Sequence, residues 1–496
     1  MQMRVRGAKS IPPNTVATGG GAGWGLGKAS HREHGGNRKA TEKTFPLFLP
    51  YPSVSLCEAL RRPARVLSTP NRTHIPPPPM EQTYFRRGFG RKKEIEPLIR
   101  SEYHSGLVER IRARGYEDRF GEGDLQVTVR LAEEFGFCYG VDRAVDYAYE
   151  TRLHFPDRRV FLLGEIIHNP HINQRLTGMG IVFLRPGADG EFDFGGLTPD
   201  DVVILPAFGA TTEDFRRLQT VGCVLVDTTC GSVLNVWKRV EQYARDGYTS
   251  LIHGKYRHEE TRATASQALK HAGGHYVIVF DMDEARLVMD YVERVPGALT
   301  RAAFMEHFAH KTSAGFDPDL HLDRIGVANQ TTMLSGDSLA IAAEVGRSMA
   351  RRFGADDLAA HFRSFDTICS ATQERQDAVV KLVEGPQGPP DVMLVVGGYN
   401  SSNTNHLAIL CARHTVTYHI ADAECIDPER GTIRFKPAGT PLDAPEAEAE
   451  DWIPSGPLVV GITAGASTPN NKIGEALERL LRTRGVELEL GEPATV

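Results

Sequence analysis

The sequence VLVDTTCGSV, at residues 224–233, joins a predicted strand to a predicted helix. The apolar, β-branched run Val224–Val226 is typical of a buried strand, and the Asp-Thr-Thr that follows it is typical of a helix start. Cys230 therefore lies where the strand ends and the helix begins. Unpaired backbone N–H groups and the positive end of the helix dipole favour the thiolate form of a cysteine in that position.

Two other cysteines, Cys138 and Cys369, occupy the same kind of position. An alternating strand at 125–131 and a glycine-flanked segment precede Cys138, and the Asp-Thr-Ile before Cys369 repeats the pattern before Cys230. Three such thiolates from separate α/β units can converge on one metal centre. Zinc sites favour closely spaced cysteine pairs, whereas these long spacings favour a cluster at a domain junction. Three thiolates on a four-iron cluster leave one iron open to a substrate oxygen.

Length and composition exclude several classes of protein. The 496 residues are enough for about three domains of ~150 residues each. A net charge of −6 argues against binding to nucleic acid or to a membrane surface, and no apolar run approaches the ~18 residues that span a bilayer. The seven cysteines are widely spread, which indicates a reducing compartment, and we expect a bacterial cytoplasmic protein. Four of them are predicted to have no role in the chemistry: Cys57, Cys223, Cys411 and Cys425.

Residues 1–79 differ in kind from the rest of the chain. They are basic, poor in acids and contain runs of glycine and proline, so they cannot build a packed core. We predict a disordered extension, or translation upstream of the true start at Met80. The alternative is a transit peptide, which would place the protein in a plastid, although such peptides are usually rich in serine.

Beyond this extension, predicted strands alternate with predicted helices. The alternation indicates βαβ units and therefore an α/β fold with parallel sheets. We divide the chain into an N-terminal arm at 80–125, a first α/β domain at 126–230, a second at 231–366 with a helical insertion near 286–322, a third at 367–466, and a C-terminal helix and tail at 467–496.

Several predicted strands end in small, hydroxyl-bearing or amide-bearing residues that open a helix. The densest example is Asn400–Asn405, after the apolar strand Val392–Val396. No glycine-rich Walker or dinucleotide fingerprint is present, so the pattern favours an anion held by backbone N–H groups and short polar side chains. His168 and the His/Glu cluster at 253–261 also follow apolar runs, where ligands bind in α/β proteins. The alternatives are a structural histidine and a solvated charged loop.

A series of motifs identifies a family that the chain resembles. They are GFC at 136–138, EIIHN at 165–169, DTTC at 227–230, HEET at 258–261, NQTT at 329–332, TIC at 367–369, NSSN at 400–403 and GASTP at 465–469. In this order they resemble the 4-hydroxy-3-methylbut-2-enyl diphosphate reductases, which catalyse the last step of the non-mevalonate isoprenoid pathway, and most of all the plant and cyanobacterial branch. The resemblance extends from about Phe85 to the C-terminal helix.

The resemblance implies three similar parallel-sheet α/β domains in a trefoil around a central [4Fe–4S] cluster. It implies that Cys138, Cys230 and Cys369 ligate the cluster. It implies that Glu260 delivers protons to the leaving hydroxyl and the allyl carbon, and that Thr331 orients the hydroxyl or relays protons. The residues that would hold the substrate diphosphate are His168, His258, Ser401, Ser402, Asn403 and Ser467.

The implied reaction is reductive dehydroxylation of 4-hydroxy-3-methylbut-2-enyl diphosphate to isopentenyl and dimethylallyl diphosphate. Ferredoxin or flavodoxin is the expected electron donor, since the sequence shows no flavin or nicotinamide fingerprint. A carboxyl in a closed, anion-filled pocket should have a raised pKa, which suits Glu260 as a proton donor. Two positions depart from the family pattern. Phe208 stands where many bacterial members have a diphosphate-binding histidine, and Gly231 stands where proline usually follows the second cysteine.

Two other classes of protein are compatible with the same residues. A zinc phosphohydrolase or phosphate-binding module would use the same histidine, glutamate and serine side chains and would be colourless. An iron–sulfur sensor would hold a cluster without turning over substrate. The bound metal and turnover with a viologen donor distinguish these classes from a reductase.

Overall fold

The computed structural model describes residues 83–488, apart from 189 and 366. The predicted extension at 1–79 and the last residues of the C-terminal tail lie outside this part of the chain. Its strands are β1 Tyr84–Phe85, β2 Glu117–Phe120, β3 Val127–Leu131, β4 Val160–Leu163, β5 Ile181–Leu184, β6 Val202–Leu205, β7 Val224–Asp227, β8 Thr249–His253, β9 Tyr276–Val279, β10 Ile325–Asn329, β11 Phe362–Ser364, β12 Val392–Val396, β13 Val416–Ile420, β14 Ile426–Asp427, β15 Thr432–Phe435, β16 Ala447–Glu450 and β17 Leu458–Ala464.

Helices connect most of these strands, and within the described residues none is long and apolar enough to cross a membrane. They are α1 Lys92–Tyr103, α2 Gly106–Ala113, α3 Tyr139–His154, α4 Pro170–Gly178, α5 Thr212–Val221, α6 Gly231–Arg245, α7 Glu259–Ala268, α8 Met282–Glu293, α9 Arg301–His307, α10 Pro318–His321, α11 Ser335–Phe353, α12 Leu358–His361, α13 Ser370–Glu384, α14 Ser402–Ala412 and α15 Asn470–Thr483.

Two of the sheets are wholly parallel. The first has the order β1-β7-β6-β4-β5 and the second has the order β11-β10-β8-β9. Central strands of parallel sheets are covered on both faces, so they need continuous apolar runs. Strand β6 shows this, because every residue of Val202–Leu205 is buried. The predicted α/β class with parallel sheets is confirmed.

The third sheet joins distant parts of the chain. Its order is β13-β12-β17-β3-β2, and only the edge strand β2 runs antiparallel to its neighbour. Strand β3 pairs with β17, with Val129 opposite Val460. The sequence division at residue 126 assigns β3 to the first domain, whereas its hydrogen-bonded neighbours belong to the third sheet. A local pattern predicts a strand, but tertiary packing selects its partner.

Two segments outside the three sheets test local predictions. The predicted helical insertion contains α9 and α10, and Phe304 and Phe308 of this region are fully buried against α8 and α11. The segment 437–451 is rich in proline, alanine and acidic residues, which predicts a loop, but its last part forms β16 and pairs antiparallel with β15. That expectation was wrong because the Ala-Glu-Ala-Glu alternation of β16 has the period of a strand.

Each of the three predicted cluster cysteines follows a strand of a different sheet. Cys138 follows β3 of the third sheet, Cys230 follows β7 of the first, and Cys369 follows β11 of the second. Each one has extended backbone angles and directly precedes the first residue of a helix, namely α3, α6 or α13. Each sheet therefore supplies one cysteine at a helix N-terminus.

Candidate active site

The three cysteines converge on one small cavity of about 80 Å³. Packing around them is close: a methyl group added at Gly140, in the first turn of α3, would lie 2.6 Å from Cys230 Sγ and 3.9 Å from Cys138 Sγ. Van der Waals contact with a sulfur atom needs more than 2.6 Å, so this position requires glycine. The absent side chain at Gly140 lets the helix that follows Cys138 approach the sulfur of Cys230.

Burial governs the protonation of two of these thiols, Cys138 and Cys230. It raises the pKa of Cys138 and of Cys230, and this outweighs the backbone N–H groups of the following helices, which lower both pKa values. The sequence-based expectation of a thiolate identified the local cause correctly but omitted desolvation, which wins here. The neighbouring thiols also raise these pKa values. A bound metal reverses the balance because its positive charge deprotonates thiols that coordinate it.

At least one pair of the three sulfur atoms is farther apart than two ligands of one bound zinc ion. Sulfur ligands of one tetrahedral zinc lie about 3.8 Å apart, because each Zn–S bond is about 2.3 Å long. Among the described residues, the one group of three potential metal ligands whose donor atoms all lie within 4.8 Å of one another is His168, His258 and Glu259. The three thiols do not form such a group.

A chain of hydrogen bonds fixes the two predicted histidines. The backbone N–H of Glu260 donates to His258 Nδ1 at 3.2 Å, so the proton of this ring is on Nε2. That Nε2–H donates to His168 Nε2 at 3.2 Å, and His168 Nδ1–H donates to Glu165 Oε2 at 3.1 Å. Burial lowers the pKa of His258 well below its usual value, so this ring is neutral in the ligand-free site. Phe208 stacks on His168 with ring centroids 4.3 Å apart.

Glu260 is the most completely buried carboxyl group of the site. It is 1% exposed, and its Oε1 accepts the backbone N–H of Thr331 at 2.6 Å. Burial raises the pKa of Glu260 to about 7, although hydrogen bonds from Thr331 lower it in part. The carboxyl can therefore carry a proton near neutral pH, which is what a general acid requires.

Two buried donors at the start of α14 have no partner among the described residues. Ser402 Oγ and Asn403 Nδ2 are inaccessible to solvent and make no hydrogen bond within this part of the chain. Ser401 caps the helix by accepting the Thr404 N–H at 3.3 Å, and Ser467 Oγ donates to the His168 carbonyl at 3.2 Å. Unpartnered buried donors at a helix N-terminus are suited to an anion, because they lose hydrogen bonds to water and gain none from the protein.

All the predicted site residues line the same 80 Å³ cavity, with their side chains supplied by all three sheets and the helices that follow them. A second cavity of about 1420 Å³ is also lined by His168 and His258, but by none of the three cysteines. These two histidines are therefore common to both cavities, whereas the remaining predicted site residues line the small one.

Some positions were missed by sequence reasoning or were identified without a role. Glu165 accepts hydrogen bonds from His168 and, at 3.3 Å, from Asn400 Nδ2, so it orients the ring. Glu165 belongs to the motif EIIHN at 165–169, but the spacing of motifs along the sequence does not show which of their residues contact one another. Thr332 also lines the small cavity. At the departure Gly231, α6 begins directly and nothing lies within 4 Å of where a side chain would be.

Comparisons with known proteins found the following relatives. A family model described as "LytB protein" matches residues 129–481. The 4-hydroxy-3-methylbut-2-enyl diphosphate reductase of Thermosynechococcus vestitus is 48% identical over 406 residues, which cover 82% of this chain and 96% of that protein. The protein of the same name from Cyanothece sp. is 47% identical over 398 residues, covering 80% and 93%. A solved structure of (E)-4-hydroxy-3-methyl-but-2-enyl diphosphate reductase aligns with a TM-score of 0.43 at 28% identity, covering 71% of this chain and 98% of that one.

Proposed function

The chain belongs to the LytB family, and we propose that it reduces 4-hydroxy-3-methylbut-2-enyl diphosphate to isopentenyl and dimethylallyl diphosphate. The reaction consumes two electrons and two protons. The C–O bond of the allylic hydroxyl breaks, one proton leaves with that oxygen as water, and the other forms a C–H bond at either end of the allyl group. The site must therefore hold a diphosphate, deliver protons and receive electrons.

Three kinds of functional group line one cavity, and this observation supports the proposed function most directly. Cysteines from three sheets, a buried carboxyl group and unpartnered donors at a helix N-terminus line the same 80 Å³. An anion-binding module has no use for three converging thiols, and zinc sites favour cysteine pairs that are close in sequence, which these are not. A reductase that acts on an allylic diphosphate needs all three groups.

The diphosphate is assigned to the polar end of the cavity. Ser402 and Asn403 supply the donors that have no partner among the described residues. His168, His258, Ser401 and Ser467 surround them, and negative charge on the ligand raises the pKa of a neighbouring imidazole. Phe208 cannot donate a hydrogen bond to the ligand, so it acts by holding the His168 ring through stacking.

Proton delivery is assigned to Glu260. Its carboxyl is enclosed, its pKa is raised to about 7, and it is linked through the Thr331 backbone N–H to the loop that follows β10. We assign to Thr331 the alignment of the substrate hydroxyl with this carboxyl, and this is supported by the fact that both residues line the cavity. Positioned general acids of this kind contribute about 10²–10⁴-fold to rate.

Cys138, Cys230 and Cys369 are assigned to a [4Fe–4S] cluster. When bound, it supplies one-electron transfers and a Lewis-acid iron. We assign the electrons to ferredoxin or flavodoxin, since no flavin or nicotinamide fingerprint occurs in the sequence. The protein residues bind, orient and protonate the substrate.

The test is turnover under anaerobic conditions with reduced methyl viologen and 4-hydroxy-3-methylbut-2-enyl diphosphate. We expect substrate-dependent oxidation of two viologens per product formed, with isopentenyl and dimethylallyl diphosphate as the products. A brown protein that bleaches with dithionite but produces neither diphosphate would be an iron–sulfur sensor. A colourless protein with stoichiometric zinc that releases phosphate would be a hydrolase, and either result would reject the reductase.

A further inference from the structure

Arg375 is a buried cation beside the predicted cluster ligands. It lies on α13, whose first residue follows Cys369, and it is 3% exposed. Its guanidinium donates to the Gly136 carbonyl at 2.7 and 3.2 Å, to the Phe137 carbonyl at 3.1 Å and to the Ala371 carbonyl at 2.8 Å. Sequence analysis predicts the helix but gives this arginine no role.

The charge of this guanidinium has no paired carboxylate in the part of the chain that the structure describes. Four hydrogen bonds to carbonyl oxygens satisfy its N–H groups but do not neutralise it. Asp142 feels the charge of Arg375 without forming an ion pair with it. A buried charge without a counter-ion is strongly destabilising, so a negative group is expected close by. Cys138 directly follows Phe137, and its thiol feels the charge of Arg375, as Asp142 does.

Arg375 also connects two of the segments that carry cysteines. In the segment before Cys138, Gly136 has a positive φ of 75°. The Cys138 N–H donates to the Ala466 carbonyl at 3.2 Å, which fixes the backbone at the cysteine itself. The guanidinium holds the two carbonyl groups directly before Cys138. Helix α13, which carries Arg375, begins directly after Cys369. Arg375 therefore fixes the position of Cys138 relative to that of Cys369.

We infer that Arg375 is a positioning residue for the cluster and its internal counter-charge, so that it raises the cluster's reduction potential. This inference rests on the proposed function, because it requires the thiolate-held cluster. Reduction adds one negative charge to the cluster. A fixed positive charge nearby stabilises the reduced form more than the oxidised form, and net charge and hydrogen bonding are among the factors that set such potentials.

The test compares the anaerobically purified parent with Arg375→Gln and Arg375→Lys by redox titration followed by electron paramagnetic resonance, and by the rate of iron release to a chelator. Arg484→Gln is the matched control. Among the described residues, the Arg484 guanidinium likewise donates only to backbone carbonyls, those of Pro454, Asp124 and Gly456, near the opposite ends of β3 and β17.

Arg375→Gln removes the charge, so we expect a potential at least about 59 mV more negative, which corresponds to a tenfold smaller equilibrium constant for a one-electron reduction. Arg375→Lys keeps the positive charge, but its ammonium group cannot donate hydrogen bonds to all three of the carbonyl groups that the guanidinium contacts. It should keep a potential near that of the parent and release iron faster. Arg484→Gln should match the parent in both measurements.

An Arg375→Gln potential equal to that of the parent would overturn the counter-charge role. If this variant retains no iron, Arg375→Lys decides: faster iron release supports the positioning role, and release at the parental rate overturns it. A parent protein without any cluster would overturn the proposed function together with this inference. An unmoved potential in a cluster-containing protein overturns the inference alone.

Discussion

Replacing Glu260 by glutamine tests both the burial and the role of this carboxyl group. The substitution keeps the shape of the side chain, and the amide oxygen can still accept the Thr331 N–H. It removes the ability to hold a proton and the ability to ionise. These two losses predict separate effects, one on stability and one on turnover.

The stability effect follows from the raised pKa. The pKa of Glu260 is raised to about 7 in the folded protein, against an ordinary value of 4.5 for a glutamate in the unfolded chain. Between these values the folded protein binds more protons than the unfolded chain, so stability falls as pH rises through the window and is level outside it. The difference of about 2.5 pKa units corresponds to about 3 kcal/mol, at 1.36 kcal/mol per unit. The Glu260→Gln variant has no carboxyl group to titrate at this position. The free energy of unfolding of the variant minus that of the parent should therefore increase by about 3 kcal/mol between pH 4.5 and pH 8.

The turnover effect follows from proton donation. We expect Glu260→Gln to bind the diphosphate like the parent but to lose about 10²–10⁴-fold in kcat. In the parent, kcat should fall as pH rises through about 7, because the acid form of Glu260 is lost. The assays are urea titration at several pH values under argon and viologen-linked turnover. The control is Glu259→Gln, which changes the same charge on a side chain that is 53% exposed.

Two results would refute this reasoning. A difference in unfolding free energy between Glu260→Gln and the parent that does not change with pH would show that Glu260 titrates at its ordinary pKa. Parent-like turnover in Glu260→Gln would remove it from proton delivery, whatever its pKa.

Three further substitutions test the remaining parts of the site. Gly140→Ala should lose iron, because its methyl group would meet Cys230 Sγ at 2.6 Å, whereas Gly231→Ala, which has open space around it, should retain the parental iron content. Ser402→Ala should raise the Kd for the diphosphate roughly 10-fold or more, since a hydrogen bond to a charged group contributes about 1.5–3 kcal/mol. It should not lower the Tm, because this hydroxyl has no hydrogen-bond partner among the described residues. Unchanged binding would contradict the assignment. Thr331→Ala should move the alkaline limb of the kcat profile to higher pH, because its side chain lowers the pKa of the buried proton donor, and Thr331→Ser should restore it.

Patterns that depend on neighbouring residues could be predicted from the sequence. The strand and helix start around Cys230 were predicted because both are governed by local hydrophobic period and capping chemistry. The resemblance to a known family then named residues that meet in one cavity. The partner of strand β3 was not predictable, because Val129 and Val460 come together only through packing of the third sheet.

Desolvation at Cys230 and at Arg375 was not predicted from the sequence, although the raised pKa of Glu260 was. The helix start at Cys230 favours a thiolate locally, yet burial raises its pKa in the folded protein. The role of Arg375 was invisible for the same reason, since an arginine on a helix is usually solvated. Only the fold shows that Arg375 is buried against the carbonyl groups before Cys138.

The central claim is that three cysteines from three sheets hold one four-iron cluster in the cavity that binds the substrate. Its most direct test is iron and sulfide analysis together with the iron-57 Mössbauer spectrum of protein purified without oxygen. The account predicts about four irons and four sulfides per chain, with one iron that lacks a cysteine ligand and changes its signal when the diphosphate is added. One zinc per chain, or a cluster whose spectrum is unaffected by the diphosphate, would contradict it.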